Sequence, residues 1–167
     1  MSNAEHKALA AERARVFVLT VSDTRTDDTD TAGRAIVDLL LAAGHQVAGK
    51  AIEPDEPARV AELVRQQAAI GDVDAIITTG GTGLTSRDST FEAIDALLHK
   101  RLPGFGELFR MLSYHDIGAA AMLSRACAGT IGRVIVISLP GSESAVRLAM
   151  SKLVVPELGH LVQQANK

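Results

Sequence analysis

The stretch ITTGGTGLTSRDST, residues 77–90, carries the spacing most suggestive of chemistry. An apolar run ends in two threonines. Gly80, Gly81 and Gly83 follow, with Thr82 among them, and then Arg87, Asp88 and Thr90. Glycine tolerates positive φ and lets another group come close to the backbone. Successive free amides in such a turn, just ahead of a helix, form a cradle for an anion. A plain tight turn between strand and helix gives the same glycines. Asp88 separates the two readings. Ser89 and Glu92 have capping-box spacing and Thr90 is a further cap, so the next helix does not need Asp88. A carboxylate beside an anion cradle is unfavourable unless a cation lies between them. Mg²⁺ meets that need, since it takes one or two carboxylates together with phosphate oxygens. Arg87 adds a charged clamp.

Matching parts occur elsewhere. Ser22 and Asp23 end an apolar run, where a simple turn is the alternative. Asp55 precedes Glu56 and Pro57, where it is equally a good helix N-cap. LPGS, residues 139–142, closes another apolar run. The amides after Pro140, at Gly141 and Ser142, offer a second anion cradle, with Ser142 as the rival cap. Ser124 and Arg125 stand in an apolar segment, and a buried arginine requires a carboxylate partner or an anionic ligand. These groups suit the binding of phosphates with Mg²⁺ and the movement of one of them, by positioning and charge neutralisation.

Other chemistries find less support. There is no Walker lysine, no dinucleotide fingerprint and no nucleophile elbow. One cysteine, Cys127, excludes an internal disulfide and reads as a small buried hydrophobe. His6, His45, His99, His115 and His160 lack metal-ligand spacing and read as surface or helix-end residues. The net charge of −3, four Phe, one Tyr and no Trp argue against nucleic acid as a partner. No run is long and apolar enough for a membrane span. The charged, Ala-rich start lacks a signal peptide's apolar centre and reads as a flexible arm over 1–14, and a cytoplasmic protein fits.

The elements that must position these groups alternate. RVFVLTVS (15–22), HQVAGKAI (45–52) and VDAIITT (73–79) read as strands, the first buried on both faces. Helices are expected from Asp30 or Thr31 to Gly44, with Ile36, Leu39, Leu40 and Ala43 on one face, and over 53–70, 89–100 and 103–118. AAMLSRACAG (120–129) and RVIVISLP (133–140) read as a hairpin. A closing helix over 142–164 is expected to bend at Pro156. The order βαβαβα, then helix, hairpin and helix, predicts one α/β domain over 15–167. It is a three-layer sandwich with a mostly parallel sheet and an antiparallel hairpin strand. Ligands of such sheets sit beyond the carboxyl ends of the strands, at loops 22–30, 53–56, 80–89 and 140–144. The acidic run 27–30 reads as a solvated loop. FGELFRMLSY (105–114) reads either as core or as a subunit contact.

TVSDTR, TTGGTGLTSRDST, PGFGELFRMLSY, IGAAAMLSRACAG and LPGS occur in the order seen in the MoaB/Mog family of molybdenum cofactor biosynthesis proteins. The resemblance spans roughly 14–163, and the wording over 105–126 is closer to the MoaB branch. It implies the mixed α/β fold, assembly as trimers or as hexamers made from them, and molybdopterin binding at the carboxyl edge. It also implies transfer of AMP from ATP to the terminal phosphate of molybdopterin, with Mg²⁺ required and pyrophosphate released. The family's two functional aspartates fall on Asp55 and Asp88, and its glycine loop on Gly80, Gly81, Thr82 and Gly83. Its anion contacts fall on Ser124 and Ser142, with Arg125 nearby. Contacts with other enzymes of cofactor biosynthesis fit the same picture. A non-catalytic pterin-binding oligomer of the MoaB branch is the alternative, and a Mg²⁺-dependent nucleotide pyrophosphatase a third.

Overall fold

A computed structural model of the chain describes residues 2, 4, 5 and 13–167. Six strands form one sheet in the order β2-β1-β3-β6-β5-β4. They are β1 (Arg15–Val21), β2 (Gln46–Glu53), β3 (Ala75–Thr79), β4 (Lys100–Arg101), β5 (Cys127–Ile131) and β6 (Val134–Leu139). β1 pairs in parallel with β2 and β3, and β3 with β6, while β5 runs antiparallel to both β4 and β6. The chain thus lays β2 on one side of β1 and returns to place β3 on the other. The carboxyl ends of β1 and β3 flank this switch point, where sheets of this class bind ligands.

Alternation along the strands builds two cores. Val16, Val18, Ile77, Ile137 and Leu139 face α1 (Thr31–Ala42), α4 (Pro103–Ile117), α5 (Glu143–Ala149) and α6 (Val155–Ala165). Phe17, Leu19, Ile76 and Val136 face α2 (Pro57–Ile70) and α3 (Thr90–Asp95). β1, β3 and β6 are apolar runs because they are covered on both faces. Burying each large aliphatic side chain contributes about 1.5–3 kcal/mol. The layered α/β expectation is met.

Several local expectations are not. The expected hairpin forms, but only the end of 120–129 belongs to its first strand. A 3₁₀ helix covers Gly118–Leu123 and β5 starts only at Cys127, so Ser124 and Arg125 lie in the connection. The helix expected over 89–100 stops at Asp95, and Lys100–Arg101 instead pairs with Thr130 and Gly129 as the short edge strand β4. The closing helix is continuous from Glu143 to Ala165, but it loosens into a π turn over Met150–Val154. Pro156 lacks an amide and crowds the preceding turn, and the wider turn accommodates it one turn earlier than expected. On α1, Ile36 and Leu40 are buried, but Ala43, its C-cap, is exposed. Ala14, placed in the arm by the sequence, belongs to the fold. It is fully buried and its amide donates to His45 Nδ1 at 3.1 Å. Residues 1, 3 and 6–12 of that arm, including His6, lie outside the described residues. His45 is accordingly a buried group rather than a surface one, and burial pushes its pKa down. Burial also pushes the Cys127 thiol up to about 12, so it behaves as packing.

α4 divides the two readings of residues 105–114. Phe105 and Phe109 are core, whereas Leu108, Met111, Tyr114 and Ile117 stay roughly half exposed or more. No helix of the described residues is long and apolar enough to cross a membrane.

Candidate functional site

Beyond the carboxyl ends of β1 and β3 lies a cleft of about 270 Å³, lined from all four of the expected loops. Ser22, Asp23, Asp55, Gly80, Gly81, Arg87, Asp88 and Gly141 line it together.

The glycine turn forms the floor. Gly80 extends the β3–β6 ladder, donating to the Leu139 carbonyl at 3.0 Å. The chain then turns through positive φ at Gly80 (99°) and Gly81 (69°). A Cβ on Gly81 would stand 2.1 Å from Thr90 Oγ1 and 2.6 Å from Asp55 Oδ2, so only glycine fits. The Gly81 carbonyl accepts the amides of Thr90 (3.0 Å) and Phe91 (3.4 Å), which closes the start of α3. The second glycine turn abuts the first, since a Cβ on Gly141 would stand 3.3 Å from Gly80 Cα. Thr79 Oγ1 joins the two, donating to the Pro140 carbonyl at 2.7 Å.

Asp55 is 6% exposed. It does not cap α2, whose N-cap is Glu56. Its Oδ1 instead accepts from the Ser89 hydroxyl (2.9 Å), the Thr90 hydroxyl (3.1 Å) and the Ser89 amide (3.4 Å). The capping box expected at Ser89 and Glu92 does not form, because both residues have distant partners. Ser89 goes to Asp55, and Glu92 pairs with Arg125.

Asp88 Oδ2 accepts from the Thr85 hydroxyl (2.7 Å) and the Thr85 amide (3.0 Å). The Thr85 hydroxyl, outweighing partial burial, with the amides of Thr85 and Gly83, holds its pKa below the usual carboxylate range. Asp88 also lies against the glycine turn, with Oδ2 2.5 Å from where a Gly83 Cβ would be. The two acids thus flank the same loop, Asp55 at Gly81 and Asp88 at Gly83.

Across the mouth, Arg87 donates from Nε to Asp23 Oδ2 at 2.9 Å and from Nη2 to Asp23 Oδ1 at 2.8 Å. That pairing holds the Asp23 pKa down. Asp23 Oδ1 also accepts the Asp55 amide at 3.1 Å. The Ser22 hydroxyl accepts the amides of Thr24 and Arg25.

Arg25, Thr20 and Asp30 also line the cleft, although the sequence points to none of them as a site residue. Arg25 lines it and donates to the Thr29 carbonyl. Thr20 donates to Asp30 Oδ2 at 2.6 Å. Asp30, only 1% exposed, is not part of a solvated loop. As expected it caps α1, through the Gly33 amide at 2.9 Å, and it also pairs with Lys50 at 2.8 Å. Burial raises its pKa, but Lys50, Thr20 and Gly33 together outweigh burial and leave it lowered. The available signal was Lys50, a cation in the neighbouring strand.

The remaining candidates stay outside the lining. Ser142 is the N-cap of α5, accepting the Ala145 amide at 3.3 Å. Thr90 is buried beneath the turn, occupied with Asp55. Thr82 is buried as well, and Ser124 ends the 3₁₀ helix as its C-cap. Arg125 does not reach the cleft. It donates from Nε to the Thr82 carbonyl (2.9 Å) and from Nη2 to the Gly83 carbonyl (2.6 Å), pairs with Glu92, and lies 4.9 Å from the centre of the Phe91 ring. The carboxylate partner, rather than an anionic ligand, accounts for it.

The cleft holds four carboxylates (Asp23, Asp30, Asp55, Asp88) against two guanidiniums (Arg25, Arg87). A polyanion would meet net repulsion there without added cations. Among the described residues no group of three His, Cys, Asp or Glu is arranged to hold a metal. An all-protein cage is therefore not what the site offers. The carboxylates beside the glycine turns have the chemistry that suits Mg²⁺, which keeps waters and binds phosphate oxygens along with one or two carboxylates.

Comparison with known proteins gives the family and the fold. The family profile described as "probable molybdopterin binding domain" matches residues 17–160. The molybdenum cofactor biosynthesis protein B of Bacillus anthracis is 51% identical over 168 residues, covering 100% of this chain and 99% of that protein. A crystal structure of a molybdenum cofactor biosynthesis protein B superposes with a TM-score of 0.90 at 51% identity, over 92% of this chain and 96% of that one. The tungsten cofactor synthesizing protein MoaB from Pyrococcus furiosus superposes with a TM-score of 0.84 at 36% identity, over 95% and 100%.

Proposed function

Since the chain belongs to the molybdopterin-binding domain family of molybdenum cofactor biosynthesis, we propose that its cleft adenylylates molybdopterin with Mg-ATP. In that reaction an oxygen of the pterin's terminal phosphate attacks the α-phosphorus of ATP. A new P–O bond forms, the bond to the β-phosphate's bridging oxygen breaks, and pyrophosphate leaves. The observation that carries this reading is the convergence of two glycine turns and two acids, Asp55 and Asp88, on one cleft. The amides of the glycine turns bind phosphate oxygens, and Arg87 and Arg25 clamp the chain from the rim. Asp88 and Asp55 would hold Mg²⁺, which on binding would offset the excess of carboxylates and the ligand's own charge. Ligand-enclosing pockets run to ~300–1,000 Å³, so this cleft takes the phosphate ends and leaves pterin and adenine at its rim.

Subunit association belongs to the same reading. The exposed stripe of Leu108, Met111, Tyr114 and Ile117 on α4 suits a homo-oligomer, as a trimer or as a hexamer built from trimers.

One observation favours a second reading, a pterin-binding oligomer without turnover. Asp55 and Asp88 each spend a carboxylate oxygen on the fold, at Ser89 and Thr90 and at Thr85. Incubation with ATP, Mg²⁺ and molybdopterin, followed by mass spectrometry, separates the two. Adenylylated pterin supports transfer, and bound but unmodified pterin supports the carrier. AMP released without pterin identifies a pyrophosphatase.

A further inference from the structure

The peptide unit joining Thr82 and Gly83 lies between Arg125 and Asp88. Its carbonyl accepts from Arg125 Nε at 2.9 Å, and its other end, Gly83, packs against the Asp88 carboxylate, whose Oδ2 lies 2.5 Å from where a Gly83 Cβ would be. In a planar trans peptide the carbonyl and N–H point in opposite directions, so fixing one aims the other. Arg125 also takes the next carbonyl, of Gly83, at 2.6 Å, and so holds two successive peptide planes. The guanidinium is itself fixed, by Glu92 on one edge and the Phe91 ring at 4.9 Å on its face. The segment that carries it is pinned from α4, where Arg110 Nη1 donates to the carbonyls of Ser124 and Ala126 at 3.2 Å each.

We infer that Arg125 is a positioning residue. From outside the cleft it sets the Thr82–Gly83 peptide, and Gly83 in turn sets the Asp88 carboxylate facing the cleft. Arg125 touches no ligand; it acts through one peptide group. The geometry requires a fork with donors on two sides, which guanidinium supplies and ammonium does not. It also requires glycine at 83, because a Cβ there would meet Asp88 Oδ2 at 2.5 Å. The consequence for binding rests on the cleft being the Mg²⁺-phosphate site, whereas the positioning itself does not.

The test uses the full chain as wild type, Arg125→Lys, Arg125→Ala and Glu92→Gln. The first readout is hydrogen exchange of the Gly83 amide by NMR without ligand. In both Arg125 variants it accelerates about ten- to a hundredfold, the effect expected when its peptide loses a hydrogen bond to a charged group. In Glu92→Gln, which keeps the carbonyl contacts, it changes less. The amides of Ile76 and Ile77 in β3 keep wild-type protection. The second readout is ATP binding as Mg²⁺ is titrated. The Mg²⁺ concentration at half-maximal binding rises in both Arg125 variants, while Mg²⁺-free ATP affinity does not change. A Gly83 amide that exchanges at the wild-type rate in Arg125→Ala, or no faster than the β3 amides accelerate, overturns the inference. If wild type binds no ATP at any Mg²⁺ concentration, the functional reading of the cleft fails, and Gly83 exchange still decides the role of Arg125.

Discussion

Arg87 reaches across the cleft to Asp23 with two parallel hydrogen bonds, Nε to Oδ2 at 2.9 Å and Nη2 to Oδ1 at 2.8 Å. The carboxylate thereby occupies the fork that would otherwise receive a phosphate. Replacing Asp23 by Asn keeps an acceptor for the Asp55 amide but weakens the hold on Arg87. Asp23→Asn should bind pyrophosphate without Mg²⁺ several-fold more tightly, and Arg87→Ala more weakly, by titration calorimetry. Equal affinity in all three proteins would remove Arg87 from the phosphate site.

Asp88→Asn separates structure from chemistry. The Asn side-chain carbonyl can still accept from Thr85, so circular dichroism and the thermal midpoint should stay close to wild type. Removing the charge removes several kcal/mol of stabilisation from a metal-assisted transfer, roughly a thousandfold in rate. Adenylylated pterin formed at the wild-type rate would show that Asp88 serves the turn alone.

Asp30 gives the fold a pH dependence. Despite burial, its folded pKa is depressed by Lys50, Thr20 and Gly33. A depressed carboxylate stabilises the fold above its unfolded pKa, near 3.9. That stability disappears as pH falls through the lower folded value. Asp30→Asn leaves Lys50 without its buried partner and should cost about 3 kcal/mol near neutrality. The variant should then lose less than wild type on acidification. Urea titrations at pH 7 and pH 3 read both effects, and parallel acid losses in the two proteins would contradict the assignment.

Assembly is tested on α4. Met111→Asp together with Tyr114→Asp puts charge on the exposed stripe while leaving Phe105 and Phe109 in the core. Light scattering should show a trimer or hexamer for wild type and a smaller species for the variant. A monomeric wild type would remove the subunit contact.

How legible the chain was depends on whether a signal is local. β1 and β3 announce themselves as apolar runs because helices cover both their faces, and the glycines at 80, 81 and 83 mark a backbone requirement that a reader can see. Residues 120–129 misled because a short apolar run looks alike as strand or helix. β4 is only two residues long, too short for any period. Ser89 and Glu92 have the right spacing for a capping box, yet each is claimed by a residue more than thirty positions away, Asp55 and Arg125. The run 27–30 reads as solvated because the partner that lets Asp30 be buried, Lys50, lies in β2, twenty positions away. Arg125 in an apolar segment signals the need for a partner, but its hold on the Thr82 and Gly83 carbonyls joins residues more than forty positions apart.

The most direct test of the central claim is a crystal structure of the chain with Mg²⁺ and a non-hydrolysable ATP analogue. Phosphate oxygens at the Gly80–Gly83 turn and the cation bound through Asp88, with Arg87 turned from Asp23 to the ligand, are the expected result. Phosphates and cation bound elsewhere, with Asp88 still held only by Thr85, would contradict it.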